Sequence, residues 1–138
     1  MNVLVDTSVW SLALRRESPV DDDLVRELTE LILEQRVVMI GPVRQELLSG
    51  IRDPAQFRKL REHLHAFPDL PLATADFESA AELFNLCRAK GVQGSNTDFL
   101  IGAISVHHHL AILTTDKDFH LFAEHLPLRL LKPRTQTG

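Results

Sequence analysis

Five short aliphatic runs, separated by stretches of helical period, constrain this chain more than any other feature. They are Asn2–Val5, Val37–Ile40, Leu70–Ala73, Ala111–Thr115 and Leu128–Leu131. Most lack polar alternation, as do strands buried on both faces of a parallel sheet. The intervening stretches have helix ends. Asp21, Asp22 and Asp23 crowd one start, where carboxylates oppose the positive end of the macrodipole, and Leu24, Leu28, Leu31 and Ile32 follow on one face. Pro42 suits the first turn of the next helix and Gly50 its end. Asp53-Pro54 opens another, with Phe57, Leu60 and Leu64 as its apolar stripe. Thr74 is expected to cap a long helix whose Phe77, Ala80, Ala81, Phe84 and Cys87 share a face before Gly91 stops it. Asn96 or Thr97 should cap a sixth, with Leu100, Ile101 and Ile104 inward. Strands alternating with helices imply an α/β fold, a mostly parallel sheet flanked by helices on both faces.

A chain of 138 residues that is 44% hydrophobic is enough for one domain, spanning 1–138, with a core of its own. Its single cysteine, Cys87, excludes an internal disulfide and a cysteine-based zinc site and reads as a small core residue. No apolar run approaches the ~18 residues of a membrane helix, and the N-terminus carries no basic leader. A soluble, cytoplasmic protein is expected. A net charge of −4 argues against a protein that coats nucleic acid, though not against a local basic groove.

In open α/β sheets the site lies beyond the carboxyl ends of the strands. Asp6 follows the first run directly, in Val3-Leu4-Val5-Asp6-Thr7-Ser8, and Asp116 follows the fourth, in Leu113-Thr114-Thr115-Asp116. Asp98 sits in the first turn of an otherwise apolar helix, and Glu46 borders an inward stripe before Leu47-Leu48. Taken singly, Asp6 and Asp116 are also ordinary turn or cap residues, Asp98 an ordinary helix-start residue and Glu46 a solvated one. Taken together, four carboxylates around one cleft repel unless a cation neutralises them. Oxygen-only ligands suit Mg²⁺ or Mn²⁺, ions that activate water for phosphodiester cleavage.

The ordered motifs Asp6-Thr7-Ser8, Pro42-Val43-Arg44-Gln45-Glu46-Leu47, Asn96-Thr97-Asp98-Phe99-Leu100-Ile101-Gly102-Ala103 and Leu113-Thr114-Thr115-Asp116-Lys117-Asp118-Phe119 resemble those of the PIN-domain nucleases. Length and ending resemble the toxin half of VapBC-type toxin–antitoxin pairs. The resemblance implies a five-stranded parallel sheet, a metal-dependent endoribonuclease and a homodimer silenced by a cognate antitoxin. It makes Asp6, Glu46, Asp98 and Asp116 the acidic quartet, with Ser8 or Thr115 as supporting hydroxyls and RNA as substrate. Gly102 stands where Ala is commoner in the family.

Asp118 competes with Asp116 for the fourth place. A strand ending at Thr115 aims Asp116 into the cleft, whereas Asp118 precedes Phe119, Phe122 and Leu126 and is expected mainly to cap a short helix, with a second ion as its lesser role. His107-His108-His109 cannot converge on one metal, because neighbouring helix positions diverge by about 100°; they read as a helix end. Arg52, Arg58, Lys59 and Arg61, with His63 and His65, form either a solvated face or a ridge that contacts phosphate. Arg44 offers a phosphate contact or an ion pair within its helix. Leu12, Leu14, Leu24, Val25, Leu28, Leu31 and Leu33 exceed what one buried face uses, which suggests a surface for an antitoxin helix or a dimer contact.

Other classes fit less well. A dehalogenase-like phosphatase needs a second Asp where Ser8 stands. A receiver domain needs an acceptor Asp after a middle strand, and Gly41-Pro42 and Thr74-Ala75 follow those runs; Lys132-Pro133 is its one supporting feature. An inactive binding module of the same fold shares every feature except turnover.

Overall fold

The computed structural model describes residues 1–14 and 22–134. The order of elements is β1 (Val3–Val5), α1 (Thr7–Leu14), α2 (Asp23–Leu33), β2 (Val37–Val38), α3 (Gly41–Leu48), α4 (Pro54–Leu64), α5 (Thr74–Ala89), α6 (Asn96–His107), β3 (Ala111–Leu113) and α7 (Asp118–Ala123). The sheet is parallel, in the order β2-β1-β3. Val3, Leu4 and Val5 are wholly buried in its middle, as an unbroken aliphatic run requires.

Five strands were expected and three form. The third and fifth runs reach the sheet only as single bridges, Met39 to Asp69 and Ile112 to Leu130. Leu70 donates to Met39 at 2.9 Å, and Leu131 donates to Ile112 at 2.8 Å. Prolines explain the brevity. Pro68 and Pro71 flank the first bridge, Pro127 and Pro133 the second, and none can donate to a ladder.

Helix ends also differ from expectation. Asp22 caps α2, accepting from Leu24 at 2.8 Å and Val25 at 3.2 Å, while Asp21 lies outside the described residues. Thr74 is the first residue of α5 and not its cap; the Asp76 side chain accepts instead from the Ala73 amide at 2.9 Å. Ser95 caps α6, ahead of Asn96 and Thr97. Its hydroxyl accepts from the Asp98 amide at 3.1 Å and the Asp98 carboxylate accepts from the Ser95 amide at 3.3 Å, a reciprocal capping box. Gly50 and Gly91 both take positive φ just past a helix end, as expected of them.

Helix α6 is the centre of the fold. Residues Phe99 through Ser105 are all buried, so this helix is apolar on every side and runs through the core. At its far end His107 and His108 meet a carboxylate that sequence spacing did not reveal. Asp76, with its side chain only 4% exposed, lies 3.1 Å from His107 Nδ1 and 3.4 Å from His108 Nε2. Its amide contact with Ala73, more than these imidazoles, holds its carboxyl below the ordinary range. The histidines thus tie α6 to α5. Phe77, expected on the inward stripe of α5, is 52% exposed, whereas Cys87 is fully buried.

Two glycines give opposite expected outcomes. A Cβ at Gly102 would meet Leu128 at 3.7 Å and Leu83 at 3.8 Å, ordinary contact distances in a helix interior. Gly102→Ala is expected to stabilise the fold by about 0.5–1 kcal/mol. A Cβ at Gly94 would overlap the Phe122 ring, which already packs on Phe99 and Phe119. Gly94→Ala is expected to cost about 1–3 kcal/mol. Paired denaturant melts check both signs.

Candidate functional site

The parallel register decides what meets at the top of the sheet. Leu4 pairs with Ile112 and Val5 with Leu113, so the next residues past the strands, Asp6 and Thr114, emerge side by side. The Asp6 amide still donates to the Leu113 carbonyl at 2.9 Å, which fixes the backbone at that point. Asp6 is 5% exposed. Its Oδ2 accepts from Ser8 Oγ at 2.7 Å and from Thr114 Oγ1 at 2.8 Å. Two hydroxyls therefore hold one carboxylate oxygen, and Oδ1 has no hydrogen-bond partner among the described residues.

Thr114 does more. Its hydroxyl also accepts from the Asp116 amide at 2.9 Å, so one side chain connects two of the expected acids. Of the two supporting hydroxyls that the resemblance implies, Ser8 takes that place and Thr115 does not. That residue is exposed and contributes only its backbone amide, donated to Ser8 Oγ at 3.1 Å. Counting from the strand register would have separated these adjacent threonines, because Thr114 is the residue level with Asp6. Beside them, Thr7 Oγ1 is buried without a hydrogen-bond partner.

Asp98 arrives from a different direction, at the start of α6. Burial pushes its carboxyl above the ordinary range, the negative charges of Asp6 and Asp116 push it further, and the Ser95 contacts oppose both. Asp6, Asp98 and Asp116 thus share an electrostatic environment. Glu46 does not share it to a visible degree. It is exposed on α3 and makes no hydrogen bond or ion pair among the described residues. It does fall one helical turn after Pro42, on the same side of α3. Among the described residues no three acid, His or Cys side chains already stand as close as a metal centre would hold them. The donor set itself, carboxylates and hydroxyls without sulfur or imidazole, matches a hard divalent ion.

Two expectations for individual side chains are corrected. Asp118 does not cap α7; it is the first residue of that helix, exposed, and its amide donates to Asp116 Oδ1 at 2.9 Å. The capping falls to Asp116 because Lys117, at the N-cap, already adopts helical angles, which leaves Asp116 as the side chain positioned over the first free amides. Arg44 does not form the expected ion pair with Glu46 within its helix. Its Nε donates to Asp69 at 3.0 Å, and its other nitrogens donate to the Leu64 and Phe67 carbonyls. It closes the end of α4 onto α3, where unpaired helix carbonyls need donors. Arg52 is exposed at the loop before α4 and contacts none of the acids.

Comparison with known proteins gives a consistent picture. The PIN domain family model matches residues 3–124. Ribonuclease VapC11 from Mycobacterium tuberculosis is 30% identical over 125 residues, an alignment covering 88% of this chain and 91% of the relative. VapC ribonuclease Mb1587 from Mycobacterium bovis matches with the same figures. Among solved structures, FitAcB from Neisseria gonorrhoeae superposes with a TM-score of 0.76 at 23% identity, over 95% of this chain and 97% of that one. VapBC2 from Rickettsia felis, bound to a DNA fragment from its promoter, superposes with a TM-score of 0.71 at 20% identity, over 95% and 98%.

Proposed function

Because this chain belongs to the PIN-domain family, we propose that it is a divalent-metal-dependent endoribonuclease, the toxin of a toxin–antitoxin pair acting in the cytoplasm. The chain, 1–138, forms a single nuclease domain. Asp6, Asp98, Asp116 and Glu46 hold Mg²⁺ or Mn²⁺, and RNA phosphodiesters are the substrate. The observation that carries this reading is that Asp98, raised first by burial, is raised further by the negative charges of Asp6 and Asp116. Three anions collected near the carboxyl edge of the sheet favour a bound cation, which would offset their repulsion.

A hard divalent ion bound there supplies Lewis acidity and lowers the pKa of bound water. The chain's own residues do the rest. Ser8 and Thr114 fix the Asp6 carboxylate by one oxygen and leave Oδ1 available. Thr114 also ties the backbone of Asp116 to Asp6, so the two acids keep one spacing. Asp98 is held by its capping box at the start of a buried helix, so its position is set by the core. Glu46, solvated on α3, is free to turn toward the cleft. Asp118, next to Asp116, is a lesser candidate for a second ion.

Excess EDTA is expected to abolish cleavage of RNA, and Mg²⁺ or Mn²⁺ to restore it. Cleavage that persists undiminished in chelator would remove the metal from the proposal. Thr114→Val should lower the cleavage rate about 10–100-fold, the usual effect of deleting a group that orients a metal ligand. Thr115→Val should stay within about twofold of the native rate, since only its backbone takes part. Equal losses in the two variants would show that Thr114 has no special place.

The toxin's partner is a cognate antitoxin. Leu14 at 38%, Ile32 at 37% and Leu33 at 73% exposure leave an apolar strip on α1 and α2 for an antitoxin helix or a homodimer contact. Among the described residues no helix is long and apolar enough to cross a membrane.

A further inference from the structure

Between α5 and the starting turns of α6 and α3 lies an open groove of about 450 Å³ that none of the proposed chemistry uses. Its walls include Phe77, Phe84, Asn85, Asn96, Thr97 and Pro42. Two of its residues stand near the carboxylates along their helices. Thr97 immediately precedes Asp98, and Pro42 shares a side of α3 with Glu46. The chemistry of the lining is narrow. Beside the aliphatic Pro42, Ala80, Ala81 and Leu100 it has two aromatic rings, two side-chain amides and a hydroxyl, but no charged group. A phosphate or a charged peptide would find no counter-ion there. A flat, neutral molecule with a hydrogen-bonding edge would find both a stacking surface and partners for that edge.

We propose that this groove is a nucleobase subsite, which takes one unpaired base of the RNA next to the bond being cut. The proposal rests on the ribonuclease reading above and adds to it a demand for single-stranded substrate. Phe84 forms the fixed wall, because its ring packs edge-on against Phe99 at 5.5 Å and 74°. Phe77, 52% exposed and in no aromatic pair among the described residues, supplies the open face on which a base stacks. Asn85 and Asn96 present amide donors and acceptors to the edge of the base, a pairing in which amides read bases in pairs of hydrogen bonds. Stacking on a side-chain ring tolerates any base, so Phe77 sets affinity, and the asparagines set which base is preferred. In a duplex the base is paired and stacked already and cannot enter.

The test separates the subsite from the hydrolysis. Binding is measured with the full chain carrying Asp6→Asn, in EDTA, using labelled single-stranded RNAs of about ten nucleotides in which each base in turn is replaced by an abasic residue. Phe77→Ala is expected to weaken binding of the intact RNA about tenfold. One abasic position should weaken it similarly, and the two changes together should cost no more than either alone. Phe77→Trp should restore affinity, which a misfolded variant would not do. Asn85→Ala should flatten the base preference at that same position. Strictly additive effects of Phe77→Ala and every abasic position, or duplex RNA bound as tightly as single strand, would overturn the subsite. Sedimentation is run alongside: if Phe77→Ala turns a dimer into monomers, the groove is a contact between copies and the subsite is overturned. Cleavage by the native protein with Mg²⁺ is scored separately. Coupling without cleavage refutes the hydrolysis alone, and cleavage without coupling refutes the subsite alone.

Discussion

Asp98→Asn is expected to abolish RNA cleavage and at the same time make the protein more stable. Asparagine keeps the capping role, since its carbonyl oxygen can still accept from the Ser95 amide. What it removes is a charge that burial and two neighbouring anions oppose. The sign with pH follows from the upward direction of the shift. An acid whose folded-state pKa is raised binds its proton more tightly in the folded state. Its ionisation therefore costs stability as pH rises from the ordinary carboxylate range through the raised value, and the cost is complete at neutral pH. The variant's melting temperature should exceed the native one by about 2–4 °C at pH 7, a gain typical of relieving a functional site. The difference should disappear as pH falls into the acid range, where native Asp98 is protonated. Cleavage should fall by about a hundredfold or more, because a metal ligand counts for at least as much as the residues that orient it. A destabilised variant, or an equal gain at every pH, would show that Asp98 is not held against its neighbours' charge.

The second large effect concerns a buried acid of α2. Glu27, in the middle of α2, is only 3% exposed. Its carboxylate accepts from the backbone amide and the Nε of Arg134, whose remaining nitrogens hold Glu34. These contacts bring Glu34 down to about 2, with Arg134 as the main cause and Arg36 as the second. Arg134→Ala strands Glu27 without its cation, and a buried carboxylate left unpaired costs about 1–3 kcal/mol. The guanidinium is 48% exposed, so water replaces part of what is lost and the lower half of that range is expected. Adding Glu27→Gln to Arg134→Ala should recover most of the loss, because the stranded charge is gone. No recovery in thermal melts would mean that the tail acts through packing and not through this pair.

The two predictions fall on features that the amino-acid sequence reveals unequally. Asp6, Asp98 and Asp116 were legible because each follows or opens an element with a clear apolar period. Thr114 was not, because two adjacent threonines are equivalent until the register of β1 against β3 is known. The strands expected at the third and fifth aliphatic runs failed for a local reason, prolines that cannot donate, which outweighs the aliphatic character of those runs. Asp118 precedes the apolar spacing of α7 and so matches a cap in sequence, but the side chain two residues earlier, Asp116, serves instead. The exchange between Glu27 and Arg134 spans 107 residues, and no periodicity within α2 hints at it. Long-range polar pairing is set by tertiary geometry alone, which is why the acids at strand ends could be named and their partners could not.

The hydrogen bond between Asp6 and Thr114 joins positions 108 residues apart, and β1 lies between two strands of which one, β3, is made very late. A ribosome adding about 5–20 residues per second needs several seconds more after Asp6 emerges before Asp116 exists. Until then the first acid has no hydroxyl from β3 to hold it, and the central strand lacks one of its two neighbours. For nearly the whole of its synthesis such a chain lacks a complete cleft. An antitoxin already present in the cell therefore has that interval in which to meet the growing chain before the cleft is complete.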